Sequence, residues 1–228
     1  MLLLFDIDGT LLLRAAAAHG EALREAVRLV YGVTEAPGVE TAGRTDPEIA
    51  REMLLEAGVG AARIDAGMRE LRAAAVEAYA RLCPPDLSDR VAPGMERLVT
   101  DLSAHEGVRL ALVTGNLEPI ARMKLSRAGL GECFPRGQGG FGSDHEDRSE
   151  LPAIARARAG SETRPYPRER TVVIGDTPRD IACARADGVR CLAVATGGYP
   201  ASALRGADGV AEDARELREL LDEVVAAG

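Results

Sequence analysis

The stretch LLLFDIDGT at residues 2–10 decides the fold of this chain. It begins with an unbroken apolar run, which is typical of a strand that helices cover on both faces of a sheet. Apolar runs of similar length occur at residues 109–113, 171–174 and 190–195, and residues 138–141 form a weaker candidate. The sequence therefore predicts several buried strands, and the quoted stretch contains the first of them.

Helical patterns separate these apolar runs. We predict helices over residues 94–104, 117–128, 179–186 and 212–225. Strands that alternate with helices form a parallel sheet with helices on both of its faces. The alternation therefore predicts an α/β fold built around a parallel sheet.

The segment of residues 15–91 has a different character, because it contains no convincing strand. Apolar residues recur there at helical spacing. Three helices are predicted in it, at residues 15–30, 46–57 and 61–83. An all-helical domain of residues 15–91 is thus predicted to interrupt a sheet domain made of residues 1–14 and 92–228.

Composition limits the classes of function. The chain has 228 residues and a net charge of −8, which argues against binding to nucleic acid or to an anionic membrane. No apolar stretch is long enough to span a membrane, and the N-terminus lacks the basic residues of a signal peptide. The four cysteines show no paired spacing and indicate reduced thiols. We expect a cytoplasmic protein whose partner is a small molecule, in an oligomeric state that the sequence leaves open.

Polar residues follow the first three apolar runs at the point where each ends. They are Asp6 and Asp8 after the first, Thr114, Gly115 and Asn116 after the second, and Asp176 and Asp180 after the third. Ligands of parallel sheets bind beyond the carboxyl ends of the strands. We therefore expect all of these side chains to meet at one edge of the sheet.

Four carboxylates at one edge would repel each other, and a divalent cation would offset that repulsion. All of the donors are oxygens, which suits Mg²⁺ better than zinc. An ionised Asp6 can act as a nucleophile at phosphorus. Asp8 lies two residues further on and can serve as the general acid and base. Thr114, Gly115 and Asn116 offer hydrogen-bond donors to an anion at a helix N-terminus.

These ordered motifs resemble those of the haloacid dehalogenase superfamily. The DxDGT signature corresponds to residues 6–10, a strand followed by Thr114 comes next, and GDxxxD corresponds to residues 175–180. The resemblance spans essentially the whole chain, and the branch it resembles most is that of the phosphoglycolate phosphatases. It implies a Rossmann-like core and a mobile helical cap.

The resemblance also implies a mechanism and a metal site. Phosphoryl transfer would pass through an aspartyl-phosphate on Asp6, with Asp8 as acid and base. Mg²⁺ would be held by Asp6, by the backbone carbonyl of Asp8 and by Asp176, with Asp180 nearby or bound through water. The implied function is a Mg²⁺-dependent phosphatase acting on a small phosphorylated metabolite. A sugar phosphomutase and a catalytically silent regulatory or binding protein are the alternatives.

One motif departs from the family pattern, because the usual lysine before the acidic motif is missing. Arg148 is our candidate for its role, since a guanidinium stays charged and can bridge phosphate and carboxylate. The competing cation is Lys124, the only lysine, which we interpret as a solvated or snorkelling helix residue. Arg44 precedes a helix of the predicted cap, and it either reaches an anionic substrate or is a surface residue.

Two further residues of the predicted cap have alternative interpretations. His19 could approach Asp8 from the first cap helix, but we favour an ordinary helix residue. Asp46 is interpreted as the N-cap of its helix, with Pro47 at the first helical position, in preference to a metal ligand. The sequence does not name the substrate.

Overall fold

A six-stranded parallel sheet forms the centre of the protein, whose computed structural model describes residues 1–226. The strand order is β3-β2-β1-β4-β5-β6, and every neighbouring pair is parallel. The strands are β1 (Leu2–Phe5), β2 (Arg109–Thr114), β3 (Gly140–Phe141), β4 (Thr171–Gly175), β5 (Arg190–Val194) and β6 (Gly209–Ala211). The predicted α/β fold with a parallel sheet is confirmed.

Helices cover both faces of this sheet. In the described part of the chain they are α1 (Ala16–Tyr31), α2 (Asp46–Glu56), α3 (Ala61–Leu82), α4 (Met95–Ser103), α5 (Glu118–Arg127), α6 (Leu151–Ala159), α7 (Pro178–Asp187) and α8 (Ala214–Ala226). Sequence reasoning missed α6 and β6, which are short elements without a strong periodic pattern. No helix among residues 1–226 is long and apolar enough to cross a membrane.

Burial of strand β1 on both faces of the sheet explains why its sequence is apolar without alternation. Leu3 and Phe5 belong to one apolar cluster, whereas Leu2 and Leu4 belong to the cluster on the other face of the sheet. Successive side chains of a strand point to opposite faces, so both sets are buried only if both faces are covered. The central position of β1 places the residues that follow it in the middle of the sheet edge.

The helical segment lies between β1 and α4. Its described residues form α1, α2, α3 and a short 3₁₀ turn, and they contribute one backbone bridge, from Val91 to Leu12. The two connections between this segment and the sheet run side by side, since Leu13 N–H donates to Arg90 O at 2.7 Å and Ala92 N–H to Leu11 O at 2.9 Å. The division of the chain at residues 15 and 91 stays a prediction, and we call the segment between them the predicted cap.

Candidate active site

Three carboxylates meet at the carboxyl ends of β1 and β4. One carboxylate oxygen each of Asp6, Asp176 and Asp180 lies within 4.8 Å of the others. The two strands are direct neighbours in the sheet, so the residues that follow them must be adjacent. All three side chains are buried. The structure thus brings together three of the four carboxylates that the sequence assigned to one site.

Burial of this carboxylate cluster makes its ionisation costly. Burial raises the pKa of Asp6 to about 6, with Arg148 opposing the shift and Asp180 adding to it. Burial also raises the pKa of Asp176 to about 8, and the charges of Asp6 and Asp180 contribute. The cluster therefore has more negative charge than its protein surroundings offset. A hard divalent cation with oxygen ligands fits this donor set.

The motif residues Gly9 and Thr10 hold Asp176 in place. Thr10 Oγ1 donates to Asp176 Oδ1 at 3.0 Å. Gly9 has a φ of +88°, and a Cβ at this position would collide with the Asp176 carboxylate. Gly9 thus permits a left-handed backbone and leaves room for the Asp176 carboxylate, and Thr10 holds that carboxylate by a hydrogen bond.

Arg148, which the sequence proposed as the active-site cation, lies beside two of the three carboxylates. Its Nη2 donates to Asp180 and lies 3.3 Å from Asp6 Oδ1. The guanidinium is buried, and its Nε has no hydrogen-bond partner among the described residues. Asp180 also accepts from Thr177 N–H at 2.9 Å, which caps α7. Asp180 therefore connects the cation to the helix that follows the acidic motif.

The position of Lys124 shows that our interpretation of it as a solvated or snorkelling helix residue was wrong. It is fully buried, and its Nζ lies 2.8 Å and 2.6 Å from the two carboxylate oxygens of Asp8. Lys124 falls on the same face of α5 as Ile120 and Leu125, and the whole face is buried. Its position on an apolar helix face was the sequence signal for this role. Arg148 and Lys124 are thus both cations of this site, each with a different carboxylate.

The Asp8 carboxylate lies outside the three-carboxylate cluster. Asn116 Nδ2 donates to Asp8 Oδ2 at 3.0 Å, on the same carboxylate that Lys124 contacts. Partial burial opposes ionisation of Asp8, but Lys124 and His19 outweigh it and hold its pKa below the usual value. The Asp8 side chain is therefore not part of the candidate metal cluster. The expected contribution of its backbone carbonyl stays a prediction.

His19 and Asp46 extend the site into the predicted cap. His19 is buried, and its ring nitrogens lie 3.0 Å from Lys124 Nζ and 3.0 Å from Asp46 Oδ2. This position differs from the ordinary helix residue that we favoured. Asp46 is not the N-cap of α2 either, because Thr45 takes that position and accepts from Glu48 N–H. Asp46 instead accepts from Leu117 N–H at 2.7 Å, at the start of α5.

The predicted phosphate-binding residues have distinct surroundings. Thr114 is buried at the end of β2 and lines the cavity, and its hydroxyl accepts from Asn116 N–H at 3.4 Å. Gly115 has no room for a side chain, because the backbone of Arg44 and Thr45 lies against it. Asn116 directs its amide nitrogen to Asp8, so this group orients a carboxylate in the structure and is not free for an anion.

Arg44 lines the same cavity but is surrounded by glutamates. Its Nε lies 3.5 Å from Glu48, its Nη2 lies 3.9 Å from Glu40, and its Nη1 contacts Glu52. The positive charge is therefore already matched by carboxylates of the predicted cap. Its predicted contact with an anionic substrate stays a prediction.

A cavity of about 280 Å³ joins these groups. The motif residues line it on the side of the sheet, and Leu23, Ile49 and Met53 of the predicted cap line it on the other side. The volume lies just below the usual range for ligand pockets, about 300–1,000 Å³. The cavity therefore suits a small ligand with a polar end and a less polar body.

Comparison with known proteins identifies the family. The family model for haloacid dehalogenase-like hydrolases matches residues 3–185. The chain belongs to this family. The match covers all three motifs and most of the sheet, and it confirms the predicted family.

Curated relatives of this haloacid dehalogenase-like hydrolase cover only part of its sequence. The tyrosine-protein kinase PtkA of Mycobacterium tuberculosis is 36% identical over 104 residues, and the protein of the same name from Mycobacterium bovis matches equally. The match covers 46% of this chain and 34% of PtkA. The chain thus spans about a third of the length of these relatives.

Solved structures share the fold over nearly the full length. CbbY from Rhodobacter sphaeroides in complex with phosphate has a TM-score of 0.67 at 20% identity, with 95% of each chain covered. A mutant of CbbY in complex with xylulose-(1,5)-bisphosphate has a TM-score of 0.67 at 19% identity, again with 95% of each chain covered. A predicted phosphatase from Clostridium acetobutylicum has a TM-score of 0.68 at 16% identity, with 97% of this chain and 98% of that chain covered. These similarities confirm the Rossmann-like fold of the family.

Proposed function

We propose that the chain is a Mg²⁺-dependent phosphomonoesterase that acts on a small phosphorylated metabolite through an aspartyl-phosphate on Asp6. The observation that carries this proposal is the buried cluster of Asp6, Asp176 and Asp180, with Arg148 beside Asp6, at the base of a small cavity. A phosphate group would bring further negative charge to this cluster. Its binding requires a cation, and the donor set is suited to Mg²⁺.

Asp6, Asp176 and Asp180 are the residues that would hold Mg²⁺, with the backbone carbonyl of Asp8 as a proposed further ligand. When bound, the cation would offset the charge of the carboxylates and of the phosphoryl oxygens. A nearby cation also lowers the pKa of a carboxyl group. Asp6, whose pKa is about 6 in the protein alone, would then be ionised at neutral pH and able to attack.

In the first step an oxygen of Asp6 forms a bond to phosphorus, and the bond from phosphorus to the substrate oxygen breaks. The leaving oxygen takes a proton from Asp8. Asp8 must be protonated at that moment, and the negative charge of a bound phosphate favours its protonation against the effect of Lys124. Thr114, the Gly115 N–H and Arg148 would bind the phosphoryl oxygens.

In the second step water attacks the phosphorus, and the bond to Asp6 breaks. Asp8 is now a carboxylate and accepts the proton of the water. Inorganic phosphate leaves, and Asp6 returns to its starting form. The predicted cap covers the cavity with apolar side chains, so bulk water would be largely excluded while the leaving group is present.

The substrate class follows from the size and lining of the cavity. A cavity of about 280 Å³ is of a size that suits a small phosphorylated metabolite. CbbY, which shares the fold, has been solved with phosphate and with a sugar bisphosphate. A cytoplasmic location is part of this proposal, and the four free cysteines support it.

The test is release of phosphate from a panel of phosphorylated metabolites and an aryl phosphate, with Mg²⁺ and with EDTA. We expect release that requires Mg²⁺ and that Asp6→Asn abolishes. Asp187→Asn is the matched control, because Asp187 is a buried carboxylate that pairs with Arg156 away from the cavity. Full activity of Asp6→Asn would contradict the proposal. Conversion of a sugar phosphate without phosphate release would favour the mutase, and absence of both activity and Mg²⁺ binding would favour a silent protein.

A further inference from the structure

Lys124 makes contacts that the proposed chemistry does not yet use. An ammonium group has three N–H donors and no acceptor. In the structure it contacts both oxygens of Asp8, at 2.8 Å and 2.6 Å, and His19 Nδ1 at 3.0 Å. The side chain is completely buried, so these contacts replace water entirely. Each donor of Lys124 therefore has a partner in the site.

The contact with Lys124 decides which nitrogen of His19 carries the proton. Since the ammonium can only donate, His19 Nδ1 must accept. The proton of the neutral ring then lies on Nε2, which donates to Asp46 Oδ2 at 3.0 Å. Asp46 Oδ2 is itself held by the N–H of Leu117 at 2.7 Å. The contacts form a continuous series from the start of α5 through Asp46 and His19 to Lys124 and Asp8.

This series crosses between the two parts of the chain. His19 lies on α1 and Asp46 on α2, both in the predicted cap, whereas Lys124 lies on α5 and Asp8 follows β1. Lys124 thus contacts His19 of the predicted cap and, at the same time, the Asp8 carboxylate of the sheet domain.

We propose that Lys124 is a positioning residue that orients the Asp8 carboxylate for proton transfer, and that His19 keeps Lys124 in place. The proposal rests on the proposed role of Asp8 as general acid and base. Asp8 follows a strand, and 27% of its side chain is exposed, so it could adopt other rotamers without these contacts. Contact with both of its oxygens restricts it to one orientation, and proton transfer depends on such geometry.

The test exploits the leaving group of the substrate. A poor leaving group such as phenolate needs a proton from the general acid, whereas 2,4-dinitrophenolate leaves without one. We expect Lys124→Met to reduce kcat/KM for phenyl phosphate at least about tenfold more than kcat/KM for 2,4-dinitrophenyl phosphate. This ratio reports positioning of the acid, because a general loss of folded protein would reduce both values equally.

Two further variants keep the test decisive. His19→Leu removes the acceptor of Lys124 and leaves the contact with Asp8, so we expect the same change of the ratio with a smaller magnitude. It also serves if Lys124→Met does not fold. Arg156→Met is the matched control, since Arg156 is a buried cation paired with Asp187 outside the cavity. We expect it to leave the ratio unchanged.

The single lysine also allows a measurement that is independent of activity. Protein labelled with ¹⁵N-lysine has one side-chain ammonium signal, which belongs to Lys124. We expect this signal to be protected from exchange with water and to shift in both Asp8→Asn and His19→Leu. Equal losses of kcat/KM for the two aryl phosphates, or a signal that neither variant shifts, would overturn the inference. No turnover by the wild-type protein would contradict the proposed function, and the inference with it.

Discussion

Two buried cations of the candidate active site pair with different carboxylates. Arg148 pairs with Asp6 and Asp180, whereas Lys124 pairs with Asp8. The first two carboxylates of the motif have pKa values shifted in opposite directions, because burial raises that of Asp6, whereas at Asp8 burial is outweighed by the combined contacts with Lys124, His19 and Asn116. Two carboxyl groups in different surroundings can take different roles in one reaction.

Gly9 illustrates how a single residue shapes the candidate metal cluster. We predict that Gly9→Ala destabilises the protein by more than the roughly 1–2 kcal/mol that a left-handed backbone costs an alanine. The excess arises because a Cβ there would displace the Asp176 carboxylate. Binding of Mg²⁺, measured by calorimetry, should weaken as well.

Gly58→Ala separates the two effects at Gly9. Gly58 has a φ of +80°, and a Cβ added to it would meet nothing within 4 Å. This variant should therefore show the cost of the backbone alone and bind Mg²⁺ normally. Equal destabilisation in the two variants, with equal Mg²⁺ affinity, would show that Gly9 does not control the position of Asp176.

At the scale of elements, helix α2 begins at the point where the predicted cap meets the sheet domain. Thr45 Oγ1 accepts from Glu48 N–H at 3.2 Å and donates to Glu146 O at 2.6 Å. The Thr45 hydroxyl thus caps helix α2 and also forms a hydrogen bond between the predicted cap and the sheet domain. Because Thr45 is the N-cap, the Asp46 side chain is available to accept a hydrogen bond at the start of α5.

We predict that Thr45→Ala lowers the free energy of unfolding by about 1–2 kcal/mol more than Thr45→Ser. The serine retains the hydroxyl and loses only a buried methyl group, which is worth about 0.8 kcal/mol. Urea denaturation of the purified variants measures both values. Equal stability of the alanine and serine variants would mean that the hydroxyl has no capping role.

At the scale of the whole molecule, the carboxylate cluster links stability to pH and to metal. Asp6 and Asp176 have pKa values of about 6 and about 8 in the folded chain, above the ordinary value of 3.8. Between pH 4 and pH 8 the folded state thus binds more protons than the unfolded state. Stability from these groups is present at low pH and is lost as the pH rises through the folded pKa values.

We therefore predict that in EDTA the Tm of the wild-type protein falls between pH 5 and pH 8 more steeply than that of Asp176→Asn. The asparagine imitates the protonated group and removes one of the two titrations. Mg²⁺ should raise the Tm of the wild-type protein more at pH 8 than at pH 5, since protons compete with the metal. A parallel pH dependence in the two proteins, measured by calorimetry, would contradict this account.

Much of the fold could be predicted because its signals are local. Unbroken apolar runs mark the strands of a sheet that is covered on both faces, and helical spacing marks most of the helices. The β6 strand and helix α6 escaped prediction, since β6 has only three residues and most of the apolar residues of α6 are alanines, which mark no clear face. The motifs also predicted which side chains meet at the sheet edge, because parallel topology places the ends of β1, β2 and β4 together.

The sequence by itself determined the α/β class, the motif order and the convergence of Asp6, Asp176 and Asp180 at one edge, because a parallel sheet places the residues that follow its strands on the same side. Only the tertiary structure decided the partner of Asp8 and the roles of His19 and Asp46. Lys124 lies 116 residues from Asp8 along the chain, and no local pattern encodes that distance. This contact brings α5 close to the residues that follow β1, and the contact of Lys124 with His19 brings α1 close to α5; both are properties of the packed molecule.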